Sequence, residues 1–94
     1  VIRTFGDAAT EAVFSGQVSR RLPSDIQRRA KIKLMLLDVA GRIEDLAVPP
    51  SNRLETLRGD RKGQYSIRIN DKWRLCFSWK EGDAYEVEIV DYHR

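Results

Sequence analysis

A chain of 94 residues with 41% hydrophobic and 33% charged content has room for one compact domain, and is too apolar to remain unfolded. A single cysteine, Cys76, and a single histidine, His93, exclude an internal disulfide and a tetrahedral zinc site, so neither metal nor cofactor is expected. The net charge of +3 is uneven: Arg53 to Lys80 holds eight basic residues against three acidic ones, and Glu81 onward holds five acids against Arg94.

The opening residues Val1 to Phe5 alternate apolar and polar, which predicts a short strand ended by the Gly6-Asp7 turn. They lack a signal-peptide pattern, and no run nears the roughly 18 apolar residues of a membrane span, so a cytoplasmic location without a membrane partner is expected. Asp7 is placed to cap a short helix over Ala8 to Phe14, stopped by Ser15-Gly16. Pro23-Ser24-Asp25 opens the main helix, predicted to run to about Ala40 with Gly41 as its left-handed cap. Its apolar stripe is Ile26, Ala30, Leu34 and Leu37, widened by Met35 and Leu36, with Arg28, Arg29, Lys31 and Lys33 mostly off it.

Pro49-Pro50-Ser51-Asn52 suits neither a helix interior nor a central strand and marks a connection within the domain. Beyond it the period becomes twofold. A short strand is predicted around Leu54 to Leu57, then a basic loop from Gly59 to Gly63. Tyr65, Ile67 and Ile69 define the next strand, Trp73, Leu75, Phe77 and Trp79 another, and Tyr85, Val87 and Ile89 the last, which is expected to end near Val90. Asn70-Asp71 and Glu81-Gly82-Asp83 supply hairpin turns. The fold class is therefore α+β: two N-terminal helices packed on one face of a small, mainly antiparallel sheet, with residues 1–94 as a single domain. Period-two geometry sends Arg68, Arg74, Glu86, Glu88 and Tyr92 to the other, open face.

The chemistry-bearing residues are few. Gly59-Asp60-Arg61-Lys62-Gly63 lacks the spacing of a phosphate-binding glycine loop, and Cys76 reads as buried packing. The cationic middle suits a polyanion such as nucleic acid, or a solvated mixed-charge surface. Val90-Asp91-Tyr92-His93-Arg94 sets an acid, a phenol, an imidazole and a guanidinium in succession. RNA is cut without metal when a base takes the 2′-hydroxyl proton, an acid protonates the leaving 5′-oxygen and cations stabilise the phosphorane charge. These residue types fit that task, although composition alone favours an ordinary polar terminus.

The run LRGDRKGQYSIRIN from Leu57 to Asn70, then Trp73-Arg74-Leu75-Cys76-Phe77, Gly82-Asp83-Ala84-Tyr85 and Asp91-Tyr92-His93, resembles the HigB toxins of the RelE superfamily across essentially the whole chain. The resemblance implies a RelE-like fold and a ribosome-dependent endoribonuclease that cleaves mRNA in the 30S A site. It also implies a helix-turn-helix HigA-like antitoxin, with operator DNA reached only through the toxin–antitoxin complex. Carried over residue by residue, it assigns catalysis to Arg74, Asp91, Tyr92 and His93, and RNA contact to Arg58, Arg61 and Lys62, with Arg68 added. Where some members of the family carry a histidine after the proline-bearing connection, this chain has Glu55, a carboxylate able to act as base if its pKa is raised. The competing readings are a non-catalytic ribosome- or RNA-binding module and a degenerate toxin retained to bind its antitoxin.

Overall fold

The computed structural model describes residues 1–92. Helix α1 (Ala8–Phe14) starts where Asp7 leaves extended backbone and its carboxylate accepts the Thr10 N–H at 2.7 Å, the capping bond expected from the sequence. Helix α2 (Ser24–Val39) follows Pro23 and buries Ile26, Ala30, Leu34 and Leu37. The stripe is narrower than expected, because Met35 is 53% exposed. At roughly 100° per residue, Met35 falls nearly opposite the centre of those four positions and joins the outer face. Nor is Gly41 a left-handed cap: α2 ends at Val39 and is capped by Ala40, which turns extended at φ −65° and ψ 130°. The Gly41 and Arg42 N–H groups both donate to the Asp45 carboxylate at 3.0 Å, so a side chain satisfies this turn and no positive φ is required.

The proline-bearing connection is built from two 3₁₀ turns, Ile43–Ala47 and Pro50–Asn52. Asn52 is fully buried and ties them together. Its amide donates to the Leu46 carbonyl at 3.1 Å and the Val48 carbonyl at 3.4 Å, and its oxygen accepts from Lys33 of α2. A buried amide with all these partners fixes where the chain enters the sheet.

The sheet comprises β1 (Glu55–Thr56), β2 (Gln64–Arg68), β3 (Trp73–Lys80) and β4 (Asp83–Asp91), antiparallel throughout and in the order β1-β2-β3-β4. Its inner face, with Ile67, Leu75, Phe77, Val87 and Ile89, forms one core with the buried residues of α1 and α2. This is the expected α+β layering. Strand β4 runs through Asp91, one residue past the expected end.

Two departures share one cause. Between the pairs Cys76–Glu88 and Ser78–Tyr85, β4 carries one more residue than β3, and Glu86 takes the left-handed φ of 53°. This bulge reverses parity: Tyr85 pairs with Ser78 on the outer face instead of joining Val87 and Ile89, and fully buried Ala84 takes the inner position. The expected strand at Val1 to Phe5 correspondingly makes only two isolated parallel bridges to β4, at Ile2–Ala84 and Phe5–Val87, flanking the bulge. Where this segment turns away into α1, the buried Thr10 hydroxyl accepts the Ile89 N–H at 2.9 Å and completes the edge of β4.

Candidate functional site

The outer face of the sheet is not uniformly open, since Ser66, Arg74 and Cys76 on it are buried. A cleft of about 510 Å³ lies at its β2–β3 turn end. Arg74 of β3 forms its floor, flanked by Arg68 of β2 and by Tyr92 just beyond β4. Arg53 and Glu55 wall it on one side, and Asn70, Asp71 and Lys72 of the hairpin on the other.

Arg74 is held before any ligand arrives. Its Nε donates to the Ser66 hydroxyl at 2.7 Å, and one Nη donates to the Arg53 carbonyl at 2.5 Å and the Ser66 carbonyl at 3.3 Å. Glu55 Oε1 lies 3.3 Å from the same Nη. The Arg53 carbonyl reaches this position because Arg53 adopts a left-handed conformation, φ 45° and ψ 58°, at the exit of the second 3₁₀ turn. No described residue accepts from the other Nη of Arg74. A guanidinium fixed on one edge, with no acceptor among the described residues on the other, has the form of a preorganised anion clamp.

The ring of Tyr92 has its centroid 6.0 Å from the Arg74 guanidinium carbon, and its backbone N–H donates to the Lys72 carbonyl at 2.6 Å. That bond ties Tyr92 to the hairpin and leaves an aromatic face beside the cation. At the hairpin tip, Asn70 Oδ1 accepts the Lys72 N–H at 2.9 Å and the Trp73 N–H at 2.8 Å, a side-chain turn that sets the spacing of Arg68 and Arg74. Arg68 pairs with Asp71, whose side chain is 92% exposed, so this surface pair contributes no more than about 1 kcal/mol and exchanges readily for a phosphate.

Of the expected site residues, the cleft therefore gathers Arg74, Tyr92, Glu55 and Arg68, and adds Arg53 and Lys72, which the sequence marked only as part of the cationic middle. Asp91 is not among its walls: in register with Trp73, it occupies the opposite parity to Arg74 and is exposed. His93 lies outside the described residues. Arg58 and Lys62 are exposed on the loop around the 3₁₀ turn Gly59–Arg61, away from the cleft walls. Arg61 faces inward, 2.6 Å from Glu88 and 3.1 Å from Gln64 Oε1. Burial, reinforced by Glu88, pushes the nearby Cys76 thiol up against the pull of Arg61 and Arg74, which leaves it a packed thiol and not a nucleophile.

A cationic floor, a neighbouring carboxylate and a half-buried phenol can bind a phosphodiester and shift protons around it. Comparison with known proteins gives this arrangement a context. The family described as the RelE-like toxin of the type II toxin–antitoxin system HigB matches residues 3–93. Toxin HigB-1 of Vibrio cholerae is 46% identical over 75 residues, covering 80% of this chain and 78% of that protein. Endoribonuclease HigB of Proteus vulgaris is 31% identical over 93 residues, covering 99% and 100%. Among solved structures, a YafQ mutant from E. coli superposes with a TM-score of 0.65 at 15% identity, covering 97% of this chain and 91% of that one. A YoeB–YefM complex from Staphylococcus aureus gives 0.61 at 15% identity, covering 100% and 99%.

Proposed function

The chain belongs to the HigB family of RelE-like type II toxins and is an endoribonuclease, and we propose that it cuts mRNA in the ribosomal A site by metal-free acid–base attack of the 2′-hydroxyl within the Arg74 cleft. The observation that carries this reading is the guanidinium of Arg74, held on one edge by Ser66 and Arg53 and set between the Tyr92 ring and the Glu55 carboxylate.

Arg74 and Arg68 hold the scissile phosphate, and Arg53 and Lys72 extend the cationic wall along the strand. Glu55, whose carboxylate lies beside Arg74, accepts the proton of the 2′-hydroxyl. The 2′-oxygen then bonds to phosphorus, the bond to the 5′-oxygen breaks, and His93 delivers a proton to that leaving oxygen. The products are a 2′,3′-cyclic phosphate and a 5′-hydroxyl. Arg74 stabilises the charge that grows on the phosphorane, and Tyr92 stacks on a base next to the cut. Asp91, exposed and on the opposite parity, stays out of the proton transfers.

A type II toxin has an antitoxin partner. We assign that role to a helix-turn-helix protein of the HigA type, through which alone the toxin reaches operator DNA, and we place the toxin's action in the cytoplasm. No helix among the described residues is long and apolar enough to cross a membrane.

The test is primer extension on a defined message in a purified translation system, with and without ribosomes, using native protein and Arg74→Lys. Cuts that need programmed ribosomes and fade in the variant support the proposal. Stalled ribosomes on intact message would leave a binding module in place of the nuclease mechanism.

A further inference from the structure

One Nη of Arg74 is held by a carbonyl that reaches it only from strained backbone. Arg53 presents that carbonyl at φ 45° and ψ 58°, a left-handed conformation that a residue with a Cβ adopts at a cost. The Arg53 side chain is exposed and makes no ion pair among the described residues, so nothing local to it offsets the strain. Such a conformation persists where the surroundings over-determine it.

The surroundings that do so lie behind the cleft. Asn52 is fully buried, and its backbone N–H donates to the Pro49 carbonyl at 2.9 Å. Its side-chain amide donates to the Leu46 and Val48 carbonyls, and its Oδ1 accepts from Lys33 Nζ at 2.5 Å. The Arg53 N–H then closes the 3₁₀ turn on the Pro50 carbonyl at 3.0 Å. With Asn52 held on every polar atom, only Arg53 and Leu54 are left to redirect the chain into β1 at Glu55. Lys33 is a demanding residue for this place. Burial, with Arg29 and Arg68 nearby, holds its ammonium below the ordinary lysine range, so the fold keeps a cation among cations while bonding one amide oxygen.

We propose that Lys33, Asn52 and Arg53 are positioning residues for Arg74, granted the reading of Arg74 as the cation of the reacting centre. Lys33 of α2 fixes the Asn52 amide, and Asn52 fixes the left-handed turn. The Arg53 carbonyl then holds one Nη so that the other faces the scissile phosphate. Arg53 thus acts on Arg74 through its backbone, apart from any charge it adds to the cleft wall. Without that carbonyl the guanidinium retains only the Ser66 hydroxyl at 2.7 Å and the Ser66 carbonyl at 3.3 Å, and it turns within the cleft. If Asn52 merely stitched the two 3₁₀ turns together, its loss would lower stability and leave the turnover of the folded protein untouched.

The experiment measures kcat and KM for mRNA cleavage on programmed ribosomes with the full chain. Arg53→Gly and Arg53→Val remove the same cation, and glycine alone enters the left-handed region without strain. Both are expected to raise KM by no more than about fivefold, as the loss of one exposed charge does. The glycine variant is expected to keep native kcat and the valine variant to lose roughly 10- to 100-fold, the penalty for a displaced reacting group. Lys33→Met carries the same test away from the strained turn and outside the cleft walls: kcat is expected to fall about tenfold at unchanged KM, and Lys33→Arg, which keeps a donor, to restore it. The Arg74 Nε–Hε resonance of the free protein reads the geometry directly. It should be sharp and protected from exchange in native protein and Arg53→Gly, and broadened in Arg53→Val and Lys33→Met. Equal kcat in the glycine and valine variants would overturn the proposal, as would a Lys33→Met variant that unfolds at lower urea but turns over like native. A resonance unchanged in every variant would overturn it whatever happens to cleavage. Broadening as expected, with Arg74→Lys cleaving like native, would leave the positioning intact and refute the catalytic reading of Arg74 alone.

Discussion

Arg74 sits almost wholly out of solvent because three oxygens from two other segments, the Ser66 hydroxyl and carbonyl and the Arg53 carbonyl, converge on it. Its geometry is therefore as important as its charge. Arg74→Lys keeps the charge but loses the fork, and we expect single-turnover cleavage to fall about 100-fold or more, the range for removing one preorganised donor at a developing charge. Arg74→Ala does the same and also strands buried acceptors, which costs about 1–3 kcal/mol in a urea melt. A lysine variant that cleaved like native would show that Arg74 supplies only attraction. Cys76, on the same strand, gives a prediction of opposite kind. Burial holds its thiol above the ordinary value near 9, so the folded state favours the neutral form. The resulting stability is fully present below the unfolded value and is lost as pH rises through the folded one. Urea midpoints should fall on the alkaline side in native protein, and Cys76→Ala should flatten that limb. An unchanged alkaline limb in the variant would remove Cys76 as its source.

At the scale of elements, β4 shows what a period can and cannot reveal. Tyr85, Val87 and Ile89 alternate without a break, so pattern alone assigns Tyr85 to the core. The bulge at Glu86 is invisible to that pattern because it changes residue count against β3, a property of the pair of strands and not of either one. It has a testable cost. Glu86 holds φ 53° with a side chain exposed to solvent, and Glu86→Gly should stabilise the fold by up to about 1 kcal/mol in chemical denaturation, since glycine enters that region without strain. A loss of stability would mean that the carboxylate side chain, not the backbone angle, sets the bulge. The same distinction separates what was legible in the site. Arg68 and Arg74 follow from strand alternation, Tyr92 from parity, and Glu55 from the family resemblance alone, and the cleft gathers all four. Arg53 was not foreseen because its role depends on a left-handed turn at a non-glycine residue, and Lys72 because it depends on how Asn70 folds the hairpin tip. Asp91 follows from the residue types of the terminal run and from the resemblance, neither of which fixes register, and its pairing opposite Trp73 puts it on the other side of the strand.

Across the whole molecule the basic residues of the sheet layer fall into two separate groups. The cleft collects Arg53, Arg68, Lys72 and Arg74 against Glu55 and Asp71, while the loop around Gly59–Arg61 holds Arg58 and Lys62 in solvent beyond the cleft walls. These two groups should serve different polyanions. On the proposed mechanism a message in the cleft meets the four cations, and at about 0.7 counterions per neutralised phosphate the affinity for a non-cleavable single strand should fall with a log–log salt slope of roughly −3. Arg58→Ala, Lys62→Ala leaves that slope unchanged if the loop cations touch only ribosomal RNA, because neither residue walls the cleft. On programmed ribosomes the same double variant should raise KM and weaken its salt dependence, with kcat retained, since charges outside the reacting centre contribute equally to the ground and transition states. A fall in kcat, or a shallower slope on the free strand, would instead draw the loop into the message path and enlarge the site beyond the Arg74 cleft. The two readouts together therefore measure where mRNA ends and ribosome begins on this surface.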